Sequence, residues 1–122
     1  MKRLLLIEDD HWLADSYKKV LAGAYFSVDH ARSGDEAMRA IETSQPDVIV
    51  ADVLLEGHTV LSLLHELQSY DDTAAVPVIL CTSLSHPSIE LKRLHSYGVH
   101  AVLDKATMTP EQLIQTVKEA VA

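Results

Sequence analysis

Three consecutive acids, Glu8, Asp9 and Asp10, follow the short apolar run Leu4–Ile7, and a further acid, Asp52, ends the apolar run Val48–Ala51. A third run, Val78–Cys81, stops at Thr82 and Ser83, and a weaker stretch, Val99–Leu103, stops at Asp104 and Lys105. If these ends share one edge of the fold, carboxylates, a hydroxyl and an ammonium converge. Carboxylates crowded together repel one another, and their pKa values rise unless a cation is present. A hard divalent cation with oxygen ligands relieves that crowding, and Mg²⁺ suits a small site that keeps several waters. Metal and ammonium would neutralise the charge of a phosphoryl group, and the hydroxyl would donate a hydrogen bond to it. Taken singly, each residue has a plainer reading: Asp10 as a helix cap, Asp52 as a turn residue, Thr82 as a solvated hydroxyl, Lys105 as a surface charge. The joint pattern is more specific, because four apolar runs end in residues suited to one chemistry.

The elements that would position these ends alternate between two periods. Asp10 to Gly23 carries Leu13, Tyr17, Val20 and Leu21 at helical spacing, with Asp10 as N-cap and Gly23 as the residue just past the end. Phe26–Val28 is β-prone, and Ser33 to Glu36 reads as a capping box opening a helix through Ala37, Ala40 and Ile41. A third helix is expected from about Thr59 to Gln68, and a fourth from His86-Pro87 to Gly98. Thr109-Pro110-Glu111-Gln112 opens the last, with Leu113, Ile114, Val117 and Val121 on its apolar stripe. The order is βαβαβαβαβα. Strands apolar on both faces, separated by helices, predict a parallel sheet covered on both sides. Right-handed crossovers make it doubly wound, with ligands outside the carboxyl ends of the strands.

Length and composition narrow the function. The 122 residues suit one domain spanning 1–122, and 10 Lys and Arg against 18 Asp and Glu give a formal charge of −8. An acidic chain argues against direct nucleic-acid binding, which runs on Lys and Arg contacts to phosphate. No apolar run approaches the ~20 residues needed to span a bilayer, and no signal-peptide pattern opens the chain, so a cytoplasmic setting is expected. The lone Cys81 forms no internal disulfide and reads as a small core residue. His11, His58 and His86 could rim the acidic edge, but no pair has ligand spacing, and solvated or capping roles suit them.

Over essentially its whole length the sequence resembles the receiver domain of bacterial two-component response regulators. The likeness rests on Leu5-Leu6-Ile7-Glu8-Asp9-Asp10, Val48-Ile49-Val50-Ala51-Asp52, Pro77-Val78-Ile79-Leu80-Cys81-Thr82, and Tyr97-Gly98-Val99 followed by Asp104-Lys105. It implies a flavodoxin-like α/β fold, a five-stranded parallel sheet of order 2-1-3-4-5 with five helices. It also implies that Asp52 accepts a phosphoryl group from a histidine kinase or histidine phosphotransfer protein. By the same resemblance, Asp9 binds Mg²⁺ directly, Glu8 acts through a bound water, and the Leu54 backbone carbonyl is a further ligand. Thr82 then bonds a phosphoryl oxygen, Lys105 pairs with the phosphoryl group, and the output face lies on the fourth helix, fifth strand and fifth helix. Such a chain is a regulatory domain rather than an enzyme, either standing alone or forming a piece of a larger regulator.

The sequence departs from the family pattern at several positions. Glu56 stands where the family often has Pro, although Gly57 matches. Val60 replaces a Gly, Ser83 a small Ala, Ala106 a Pro, and Val102 an aromatic switch residue. With Ala106, a trans bond after Lys105 is expected, since a non-proline cis bond costs ~2.5–4 kcal/mol. With Val102, activation is expected to alter the loop from Thr82 to His86 more than the fifth strand. Two alternatives follow. A pseudo-receiver would bind proteins without phosphate. An aspartyl-phosphate phosphohydrolase would need a second Asp two residues after the nucleophile, where this chain has Leu54.

Overall fold

The computed structural model describes residues 1–55, 58–83 and 96–122. Five parallel strands, β1 (Arg3–Ile7), β2 (Ser27–Ala31), β3 (Val48–Asp52), β6 (Val78–Thr82) and β7 (Val99–Asp104), form one sheet of order β2-β1-β3-β6-β7. This is the expected 2-1-3-4-5 order once the two-residue strands β4 (Leu54–Leu55) and β5 (His58–Thr59) are set apart as their own antiparallel pair. The three central strands are the continuous apolar runs of the sequence, and their alternating side chains feed two separate cores. Leu5, Ile7, Ile49, Ala51, Val78 and Leu80 face one core, whereas Leu4, Leu6, Val48, Val50, Ile79 and Cys81 face the other.

Helices cover both faces. Helix α2 (Gly34–Thr43) contributes Ala37 and Ile41, and α3 (Leu61–Gln68) contributes Leu63, Leu64 and Leu67, to the first core. Helix α1 (His11–Gly23) contributes Ala14, Tyr17 and Leu21, and the last helix, α5 (Pro110–Ala120), contributes Leu113 and Val117, to the second. The expected N-caps form. Asp10 accepts from the Leu13 N–H, Ser33 from that of Glu36 and Thr109 from that of Gln112, each contributing about 1 kcal/mol. In the box at Ser33, Glu36 reaches back to the Arg32 N–H at 2.7 Å.

Four local features differ from the sequence reading. Helix α1 ends at Gly23, and the left-handed residue lies two positions later at Tyr25, φ 70°. The third helix starts at Leu61, because Thr59 is taken into β5 and the Val60 N–H bonds the Val53 carbonyl at 2.9 Å. A single helical turn, α4 (Asp71–Ala74), precedes β6, anchored by the buried Thr73 hydroxyl donating to the Leu67 carbonyl at 2.6 Å. The second strand starts at Ser27, leaving Phe26 in the connection as a core residue. Most of the helix expected over His86 to Gly98 falls outside the described residues, as do Glu56 and Gly57, and the described residues 96–98 form a turn.

Gly98 lies at φ 82°, and a Cβ there would stand 2.8 Å from Gln68 Nε2 and 3.6 Å from the Ala74 carbonyl. Gly98→Ala is therefore expected to destabilise the fold by about 1–2 kcal/mol, the cost of left-handed backbone for a residue with a Cβ. Urea unfolding should show a lower midpoint at unchanged slope.

Candidate functional site

The acids follow adjacent strands. In the β1–β3 ladder Ile7 pairs with Ala51, so Glu8 and Asp9 emerge beside Asp52 at the carboxyl edge of the sheet. The strand order reverses between β1 and β3, which is where open α/β sheets leave a crevice. One carboxylate oxygen from each of Glu8, Asp9 and Asp52 lies within 4.8 Å of the others. That donor set, all hard oxygens of negative charge, fits a small divalent cation.

Lys105 comes from farther away. It follows β7, two strands from β3, and its N–H is held by the Thr82 carbonyl at 2.8 Å across the end of β6. Its long stem carries the ammonium over that strand end, to 2.9 Å from Asp52 Oδ2 and 3.0 Å from Glu8 Oε2. The three side chains are not equally accessible: Glu8 is 2% exposed, and Asp52 and Lys105 are each 14% exposed. Glu8 is thus sealed beneath the site, while Asp52 and Lys105 open to solvent.

Burial pushes the Glu8 carboxyl above its ordinary range, and the Asp52 charge adds to this, against the opposing pull of Lys105 and the Asp10 N–H. For Lys105, burial opposes the charge, but hydrogen bonds to Asp52 and Glu8 outweigh it and hold the ammonium above its usual pKa. The two shifts differ in origin: burial leads for Glu8, and the two carboxylates lead the rise for Lys105.

The remaining predicted residues fall around this centre. Thr82 is buried at the end of β6 and stands opposite Asp104 in the β6–β7 ladder, one residue before Lys105. Leu54 opens β4, two residues past Asp52, in a segment tied by Val53 N–H to the Cys81 carbonyl at 3.3 Å. No peptide bond among the described residues is cis, so Lys105–Ala106 is trans, and the Ala106 N–H bonds Asp104 Oδ1 at 2.8 Å. Val102 is half-buried and packs against the first core. Cys81 is buried in the second core, and burial pushes its thiol to about 12, so it has no thiolate chemistry near neutral pH.

Of the histidines expected near the edge, His11 is exposed and pairs with Asp15 at 3.6 Å, and His86 lies outside the described residues. Among the described residues, His30, which the sequence did not mark, also touches the site. Its Nε2 lies 2.8 Å from the Glu8 carbonyl oxygen. A polar residue on an edge strand that also holds Ser27 and Asp29 carries no signal for such a contact.

The response regulator receiver domain model matches residues 4–118. Among curated proteins, the probable transcriptional regulator ycf29 of Porphyra purpurea is 28% identical over 97% of this chain and 56% of its own length. Regulatory protein VanRB of Enterococcus faecalis is 29% identical over 74% of this chain and 40% of its own length. The chain thus spans about half the length of these relatives. Among solved structures, a putative response regulator from Chloroflexus aurantiacus superimposes with a TM-score of 0.88 at 29% identity, covering 98% of this chain and 97% of the other. Chemotaxis response regulator CheY4 of Vibrio cholerae gives 0.87 at 22% identity, covering 98% of each chain, and bears on the fold alone. Sheet order, the acids beside β1 and β3 and a match across nearly the whole length lead to one assignment: the chain belongs to the response regulator receiver domain family of two-component systems.

Proposed function

We propose that this chain is a phosphoacceptor, taking a phosphoryl group onto Asp52 from a phosphohistidine on a histidine kinase or histidine phosphotransfer protein. The observation that carries this reading is the Lys105 ammonium bonded to both Asp52 and Glu8 at the mouth of a three-carboxylate cluster. An Asp52 carboxylate oxygen forms the new bond to phosphorus. The P–N bond of the donor imidazole breaks, and its electron pair leaves with the nitrogen. Glu8, Asp9, Asp52 and the Leu54 carbonyl would hold Mg²⁺, whose charge would offset that of the incoming phosphoryl oxygens. Lys105 pairs with the same oxygens, and Thr82 donates a hydrogen bond to one of them. The acyl phosphate then biases a two-state equilibrium of the domain.

The direct test is labelling by acetyl phosphate with and without Mg²⁺. Labelling that needs Mg²⁺ supports the proposal, and a chain that stays unlabelled at saturating Mg²⁺ favours the phosphate-independent pseudo-receiver. Asp9→Asn is expected to weaken Mg²⁺ binding at least tenfold by removing one charged ligand, a loss of ~1.4 kcal/mol or more. Trp12, 84% exposed on the first turn of α1, provides a fluorescence readout. A variant binding as tightly as the parent would remove Asp9 from the ligand set.

A further inference from the structure

We propose that a cleft between α2 and α4 docks a segment of a partner protein that carries an arginine beside apolar residues. The cleft holds about 450 Å³, within the ~300–1,000 Å³ of ligand-binding clefts. Met38, Ile41 and Thr73 form its floor, Ile41 and Thr73 being buried and Met38 packing half-buried against the first core. Glu42, Gln45, Tyr70 and Asp72 stand around that floor as an exposed rim. The walls are fixed before anything binds: Gln45 Nε2 donates to the Asp72 carbonyl at 2.6 Å, and the Thr73 hydroxyl holds α4 to the Leu67 carbonyl at 2.6 Å. A cleft already formed spares the cost of ordering it on binding.

The rim selects a cation. Its charged residues are both acids, no lysine or arginine lines the cleft, and no ion pair among the described residues engages Glu42 or Asp72. Tyr70 is 57% exposed and offers an aromatic face beside them. Arginine suits all of these features. Its planar guanidinium stacks on an aromatic ring and forks onto a carboxylate, while its methylene stem lies along apolar surface. A nucleic acid or an anionic lipid would be repelled by the same acids. A free small cation would leave the floor uncovered, whereas the apolar neighbours of an arginine in a polypeptide cover Met38 and Ile41. Tyrosine and arginine are also the residues that anchor protein interfaces. Helix α2 leads into β3 and α4 into β6, so the cleft lies toward the amino ends of those strands, whereas Asp52 ends β3 at the other edge. A partner seated here leaves the acidic edge uncovered.

The probe is the blocked peptide acetyl-Leu-Arg-Leu-amide, titrated into the isotopically labelled chain and followed by amide NMR shifts. Binding near the millimolar range is expected for so short a segment, with shifts at Glu42 to Gln45 and Tyr70 to Thr73. Citrulline in place of the arginine, the same shape without the charge, should weaken binding about fivefold. Glu42→Lys, on the exposed rim, should weaken it by a similar factor, and Tyr70→Ala about threefold. Unfolding curves confirm that both variants are folded. Absence of shifts at these residues up to about ten millimolar peptide overturns the proposal, as do shifts confined to the edge of Glu8, Asp9 and Asp52. Equal binding of the citrulline peptide, or equal binding by Glu42→Lys, overturns it too. Arginine amide binding as tightly as the whole peptide would assign the cleft to a small cation and overturn the protein segment as its occupant.

Discussion

Asp52→Ala is expected to accept no phosphoryl group from acetyl phosphate, while the parent accepts one. A nucleophile must be reachable by the donor phosphorus and must have positive charge beside it to receive the phosphoryl oxygens. Among the clustered acids, Glu8 is sealed from solvent, whereas Asp52 opens to it and lies 2.9 Å from the Lys105 ammonium. Asp9 is half-buried, and the Lys105 ammonium bonds Asp52 and Glu8. Removing the Asp52 carboxylate leaves Lys105 paired with Glu8, so the ammonium keeps a partner and the fold should survive. Intact-mass measurement after labelling with Mg²⁺ reads the result directly. Labelling of Asp52→Ala at the parent's level would move the acceptor to another residue.

The parts of this site that could be read from the sequence are those written in local pattern. Three central strands appear as continuous apolar runs because both faces are buried, and the residue after each run falls at the ligand-binding edge of a parallel sheet. Asp10, Ser33 and Thr109 were legible as caps because a cap acts within three residues of its own position. What escaped depends on partners distant in sequence or on elements too short to have a period. The β4–β5 pair has two residues per strand and fixes the start of α3 through a hairpin closure. Helix α4 is one turn long and is held by Thr73, a polar residue buried against Leu67. Gly23 looked like the helix stop, yet the positive φ fell on Tyr25, because the chain there is fixed by the Phe26 N–H bonding the Leu21 carbonyl. His30 and Glu8 are 22 residues apart, and only strand pairing brings them together.

Lys105→Met is expected to cost about 2–3 kcal/mol at neutral pH in Mg²⁺-free buffer, less than the 3–5 kcal/mol of a fully buried pair because the site opens to solvent. The loss should also depend on pH, and its sign follows from Glu8. Its folded pKa is raised, so its contribution is fully present below the unfolded value of about 4.3 and is lost as pH rises through the folded value. Lys105 lowers that pKa in the parent, by hydrogen bond and by charge. Methionine keeps the apolar stem but removes the ammonium, so the folded pKa of Glu8 climbs and the penalty at neutral pH grows. The opposite limit belongs to Lys105 itself. Its folded pKa is also raised, so its stabilisation holds below an unfolded value of about 10.4 and is lost as pH climbs through the folded value. The difference between parent and variant should therefore be small near pH 4, large around neutrality, and smaller again at strongly alkaline pH. Mg²⁺ should restore part of the loss, because a cation bound only to the folded state stabilises it. Urea unfolding of both proteins across that pH series measures the difference. A deficit that stays constant from pH 4 to neutrality would assign the cost to packing of the side chain rather than to the charge it brings between Glu8 and Asp52.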